Sequence, residues 1–223
     1  QVTRMDERVY NRLLYRWNNT EWQPFVSIEV SKIIFGFFLF ALRDRTILRD
    51  ERYREFREKL ATEDDSQDLA GLDYLVHEQR STDPDAGKKL IRAYDASKRI
   101  YTHFKESYPK RQLGEFIKLL QDLGDQIRRF GKVVDPDNQT DIDPAQIFVL
   151  PRAISRLVGA YGEVEHRRNF VIDTIKNPFE VEFLRRQYSK FYLVAILRDS
   201  GVRETALLRK LDHDSQETIE KRE

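Results

Sequence analysis

Apolar positions recur at helical spacing through most of this chain and contract into short continuous runs at only a few places. Tyr10, Leu13, Leu14 and Trp17 predict a helix over residues 5–19, which Glu21-Trp22-Gln23-Pro24 brings to an end. Phe25 to Val30 alternates apolar and polar positions as a half-buried strand does, and Ser31 stands where it can cap a helix over 32–43. Leu90, Ile91, Tyr94, Ile100, Tyr101 and Phe104 predict a helix between Lys88 and Tyr108, stopped by Pro109. Phe116, Leu119, Leu120, Leu123 and Ile127 line one side of another over about 114–130, and Phe148 to Val158 reads as helical too. Leu207, Leu208 and Leu211 mark a last helix before a polar tail. Polar, turn-rich segments at 62–68, 81–87 and 134–144 are loops, and the Arg/Glu-dominated stretch from Asp44 to about Lys59 is a solvated helical excursion.

One segment breaks the helical rhythm. Phe170-Val171-Ile172 is a short apolar run ending in Asp173, the pattern of a buried parallel strand with a polar residue at its carboxyl edge. Asn177-Pro178 then opens a helix, with proline at a position where its missing N–H costs nothing. Val181, Leu184 and Tyr188 share a face of that helix, with Phe183 and Gln187 beside them, and Phe191 to Ile196 reads as a second buried strand. Residues 170–196 are therefore predicted to be one strand–helix–strand unit, and in such sheets ligands gather beyond the carboxyl ends of the strands, here Asp173 to Asn177.

Composition narrows the classes. Thirty-nine basic and 38 acidic side chains leave a net charge of +1, which is no electrostatic footprint of a nucleic-acid binder. With no Cys, the chain has neither a disulfide scaffold nor a thiolate zinc site of its own. The most apolar run, Ile33 to Leu42, is ten residues, about half of the roughly 20 that span a bilayer, so it is expected to be a core helix and no membrane partner is expected. The expected compartment is the cytoplasm.

Candidate chemistry rests on a few polar groups. Gln121 to Gly131 (QDLGDQIRRFG) ends in two adjacent arginines and a glycine, so Arg128 and Arg129 can grip a phosphate; equally, they can be cations at a helix carboxyl end with Gly131 closing it. Arg152 and Arg156 lie one helical turn apart and can join a polyphosphate clamp or pair with neighbouring acids. Asp173 can hold Mg²⁺, directly or through water, or cap the following turn. His77, His103, His166 and His213 are scattered and form no catalytic spacing. Neither Gly87-Lys88 nor Gly131-Lys132 has the flanking residues of a phosphate-cradling loop.

The runs LLQDLGDQIRRFG (119–131) and FVIDTIKNPFEVEFLRRQYSKFYLVAI (170–196) resemble the P-loop kinase-like domain of bacterial anti-phage deoxycytidylate (dCMP/dCTP) deaminases, and Trp22-Gln23-Pro24-Phe25 with Ile28 to Ile34 resembles the second-strand region of its longer members. The likeness covers about residues 20–42 and 113–211. It implies an α/β fold, a parallel sheet of the P-loop nucleotide-kinase type with a large helical insertion at about 43–112. It implies a nucleotide-binding regulatory domain whose site draws on Gln121, Arg128, Arg129, Arg152, Arg156, Asp173 and Asn177. Zinc would belong to a deaminase domain after residue 223, and the phosphate loop would precede residue 1, so an interior portion of a longer protein is expected. The implied ligands are dCMP, dCTP or a regulatory NTP with Mg²⁺, in a homo-oligomer; an RNA or protein inhibitor is left open. Two alternatives stand beside this: a deoxynucleoside monophosphate kinase-like protein, and a non-catalytic assembly domain.

Overall fold

The computed structural model describes residues 8–15, 23–44, 53, 68–77, 82–107, 113–134 and 142–195. Residues 8–15 are helical. The elements that follow are β1 (Val26–Glu29), α1 (Val30–Arg43), a 3₁₀ turn (Asp68–Gly71) leading into α2 (Leu72–Val76), α3 (Ala86–Ser107), α4 (Leu113–Phe130), a 3₁₀ turn (Pro144–Phe148) leading into α5 (Val149–Val164), β2 (Phe170–Asp173) and α6 (Pro178–Gln187).

The centre of the molecule is α1. A surface helix has one apolar stripe, but VSKIIFGFFLFALR is apolar nearly all round, which a helix tolerates only when neighbours cover every side. Here α2, α3, α4 and α5 all pack against it. Ile33, Phe35, Phe37, Phe38 and Leu39 are each at most 1% exposed. Around Phe35 the rings form a cluster, with Tyr101 edge-on at 5.5 Å, Phe38 at 5.9 Å, Phe104 at 6.0 Å and Phe116 at 6.4 Å between centroids. Such pairs add about 0.5–1.5 kcal/mol each beyond the area they bury.

Close helix approach is what lets four neighbours fit. A Cβ built on Gly36 would lie 2.5 Å from Leu75 Cδ2 and 3.1 Å from Ser97 Oγ, so α2 and α3 both lean on the bare backbone there. Gly71 meets the Lys89 carbonyl in the same way, seating the turn before α2 against α3.

β1 and β2 pair in parallel with Val26 opposite Phe170 and Glu29 opposite Asp173. Strand periodicity puts Val26, Ile28, Phe170 and Ile172 on the inward face, and leaves Ser27, Glu29, Val171 and Asp173 on the other.

The expected kinase-type parallel sheet is not what the chain forms. Among the described residues helix predominates, and the sheet has two strands of four residues each. Two physical facts overturn it. First, β2 alternates between half-buried and exposed, with Val171 48% exposed, where a strand covered on both sides would be buried throughout. Second, residues 191–195 of the expected last strand carry no strand pairing, and Tyr192 and Val194 are 84% and 81% exposed. The core is a helix wrapped by helices instead of a sheet covered by them. Ser31 does not cap α1 either: β1 runs into the helix without a loop, and Glu29 is the N-cap residue, with no cap hydrogen bond from its side chain. Within the helical insertion expected at 43–112, the described residues include α2 and α3, packed into the core; most of the helical excursion expected from Asp44 to about Lys59 and the helix expected at 207–211 lie outside the described residues. No helix of the described residues is long and apolar enough to cross a membrane.

Gly36→Val should therefore destabilise the fold by about 1–3 kcal/mol, the usual cost of overpacking a well-filled core. Urea unfolding followed by circular dichroism measures it, with the helical signal of the folded state retained; an unchanged midpoint would mean that α1 is not gripped at this crossing.

Candidate binding site at the carboxyl ends of the parallel strands

Parallel pairing brings the last residues of β1 and β2 side by side. Glu29 and Asp173 are register partners on the same face, so their carboxylates stand on neighbouring strands about 4.8 Å apart at the backbone. The backbone N–H of Glu29 is satisfied by the buried hydroxyl of Tyr94, which accepts at 2.8 Å. Beyond Glu29 the first turn of α1 opens at once, and the Glu29 side chain makes no cap hydrogen bond to it.

Lys32 reaches back over this turn. The residue is only 9% exposed, its Nζ lies 3.1 Å from Glu29 Oε2, and the same ammonium sits 3.3 Å from the centroid of the Tyr101 ring. Burial pushes the Lys32 amine below its ordinary value, while the hydrogen bond and charge of Glu29 pull the other way. Lys105 reinforces the lowering and Asp173 opposes it, so both charges are felt at this ammonium. Tyr101, hydrogen-bonded to Ser31, has its phenol raised by burial. One desolvated cation, two carboxylates and an uncapped helix start thus converge where the two strands end.

Backbone strain marks the same spot. Thr174, immediately after Asp173, has φ +68°, a left-handed conformation that a β-branched residue adopts at a cost of about 1–3 kcal/mol. Strain of this kind is held in place by surrounding structure and gathers at functional positions.

The residues singled out in the sequence have mostly structural duties. Asn177 is the N-cap of α6, accepting from the Phe179 N–H at 2.9 Å. Arg128 donates from Nε to Glu180 Oε1 at 2.7 Å; the Glu180 side chain is 2% exposed and that of Arg128 16%, so this pair ties α4 to α6 inside the protein. Arg128 also lies 3.7 Å from Asp125. Arg129 and Gln121 point to solvent from α4, and Gly131, at φ +73°, ends that helix in the left-handed conformation that glycine accepts freely. Arg156 donates to the Leu75 carbonyl at 2.6 Å, joining α5 to α2, and Arg152 is half-buried on the same helix. Asp173 alone stands at the strand ends. Spacing does not single out Lys32, Glu29 or Glu180: along the sequence Lys32 is a lone cation beside an apolar run, and Glu180 an ordinary first-turn acid of α6.

Among the described residues no group of three or more His, Cys, Asp or Glu side chains is placed to hold a metal ion. Compared with protein-family models, curated proteins and solved structures, the chain matches none.

Two outcomes follow. Arg128→Ala leaves a buried carboxylate unpaired and should lower stability by about 3–5 kcal/mol. Chemical denaturation tests this, and a loss below about 1 kcal/mol, the worth of a surface pair, would show the contact to be superficial. Lys32 carries the opposite sign. Its folded pKa lies below the unfolded value of 10.5, so the unfolded chain binds more protons as pH rises between the two and stability gains there. Wild type should therefore gain relative to Lys32→Met on going from pH 7 to pH 10.5, read as the difference in urea midpoints; a constant difference would mean that Lys32 is not desolvated.

Proposed function

We propose that this chain is a nucleotide-binding regulatory domain whose ligand sits at the carboxyl ends of β1 and β2. The observation that carries the reading is Lys32: an ammonium withdrawn from water between Glu29 and Tyr101, at the opening of an uncapped helix. A desolvated lysine costs stability, and a phosphate group is the ligand that repays it, because the ammonium and the helix N–H groups both seek negative charge. Glu29 and Asp173 are the residues that would hold a Mg²⁺ entering with the phosphates, since that ion is commonly bound through one or two carboxylates plus phosphate oxygens. Arg129 and Gln121, exposed on α4, are free of structural work in this reading, whereas Arg128 and Asn177 serve the fold.

The family resemblance supports the choice of nucleotide. It points to dCMP, dCTP or a regulatory NTP, in a cytoplasmic protein that removes the amino group of deoxycytidylates during phage infection. Zinc and the deamination step would then lie in a domain outside this sequence, since the chain has no Cys to supply thiolates.

Calorimetric titration of the chain with dCMP, dCTP and ATP, each with and without Mg²⁺, is the test. At least one nucleotide should bind, and Lys32→Met should weaken it roughly tenfold or more, the worth of a hydrogen bond to a charged group. Absence of heat and of any thermal shift with all three would overturn the proposal and favour the assembly reading, to which the exposed Tyr10, Leu13, Tyr192 and Val194 lend support.

A further inference from the structure

A stripe of alternating tyrosines and lysines runs along one face of α3. Tyr94, Lys98, Tyr101 and Lys105 follow one another at three- and four-residue steps, the spacing that keeps side chains on one side of a helix. Both tyrosines serve the strand-end site. The Tyr94 hydroxyl accepts from the Glu29 N–H, and the Tyr101 ring lies beneath the Lys32 ammonium, 3.3 Å from Nζ to centroid. The two lysines differ. Lys98 lies 5.4 Å from the Tyr94 centroid and is paired with Asp95 at 3.4 Å, whereas exposed Lys105 has no ion-pair partner among the described residues.

A helical side chain leans toward the amino end of its helix, so Lys105 extends back over the turn that holds Tyr101. Lys32 already sits on that ring, and the charge of Lys105 is felt at its ammonium. A cation in the last turn complements the dipole of α3, but the dipole does not require it to stand beside a second cation. Like charges gathered on one surface cost free energy until an anion joins them. A phosphate approaching the strand ends also meets two carboxylates. Lys32 offsets that of Glu29, and Lys105 is the cation left to set against Asp173.

We infer that Lys105 is the outer cation of the strand-end site and reads the length of a phosphate chain, an inference that rests on the nucleotide-binding reading above. Lys32 is buried and Lys105 exposed, so the two ammonium groups stand at different depths. A phosphoryl group drawn in to Lys32 leaves Lys105 to the next phosphoryl outward, which a monophosphate lacks. The ligand class is accordingly a nucleoside di- or triphosphate, and its preference over the monophosphate resides in Lys105. A compact charge on a flexible stem suits this task, because it can follow an outer phosphate without a fixed hydrogen-bonding fork.

Calorimetric titration of the full chain with dCMP, dCTP and inorganic tripolyphosphate, each with Mg²⁺, tests it. Wild type should bind dCTP roughly tenfold or more tighter than dCMP, the worth of one added hydrogen bond to a charged group. Lys105→Met should abolish that preference by weakening dCTP and tripolyphosphate while leaving dCMP unchanged, and Lys105→Arg should retain it. The urea midpoint should hold in both variants, because the side chain is exposed. A dCTP affinity indifferent to Lys105→Met but lost in Lys32→Met overturns this inference and leaves the strand-end site standing. Equal losses for dCMP and dCTP in Lys105→Met overturn it too, since the residue would then not read chain length. Tripolyphosphate binding that depends on Lys105, with no nucleotide bound, supports the phosphate-chain site and overturns the nucleotide reading. Binding of none of the three, by heat or by thermal shift, overturns both.

Discussion

Everything described here depends on keeping one apolar helix dry on all sides. α1 carries Ile33, Phe35, Phe37, Phe38 and Leu39 around its whole circumference, so no single partner surface can cover it. Burying each such side chain is worth about 1.5–3 kcal/mol, a gain available only if four elements converge on it. This requirement explains why α2 and α3, inserted between the first strand and the later helices, are part of the core instead of a peripheral decoration. It also explains Gly36, the one place on α1 where a side chain would hold two of those neighbours away.

The same helix positions the site. Because β1 enters α1 with no intervening loop, the end of the strand, the start of the helix and Lys32 are rigidly spaced. Tyr101 links the site to the core, since its ring takes part in the Phe35 cluster on one side and lies beneath the Lys32 ammonium on the other. The ring beneath Lys32 packs against Phe35 and Phe116, so the strand ends are joined through α3 to the aromatic cluster of α1 and α4.

The helices were legible in the sequence because their apolar positions recur with a strong period. Ala86–Ser107 and Leu113–Phe130 emerge within a residue or two of where Leu90 to Phe104 and Phe116 to Ile127 place them, and Asn177-Pro178 opens α6 as its turn chemistry requires. Strand identity was legible at Phe170 to Asp173, but its surroundings were not. A run such as FVID has the same composition whether one face or both are covered, and only the tertiary neighbours decide that. Phe191 to Ile196 illustrates the same limit more sharply: high strand propensity states a preference for ladder bonds without stating whether a neighbour exists to accept them. Of the candidate site, Asp173 is marked in the sequence as a polar residue ending an apolar strand, whereas Lys32 and Glu29 stand out only when the parallel register sets them beside it.

Arg128 shows why charged residues mislead when read along a chain. In sequence it is one of two arginines at a helix end, a pattern that fits a solvated helix terminus better than a phosphate grip. What separates the two arginines is helix geometry: adjacent residues differ by about 100° around the axis, so one can turn inward while the other turns out. Arg128 turns toward Glu180, 52 residues later, and Arg129 faces water. Burying that pair is costly to both ions, and the cost is offset only while each holds the other, so the contact fixes the register of α6 against α4 more than it adds net stability. Fixing α6 in turn holds Asn177 and the short connection back to Asp173, so the internal ion pair and the open strand ends belong to one rigid path. The arginine that suggested a ligand-binding group along the sequence thus holds α6 in place against α4.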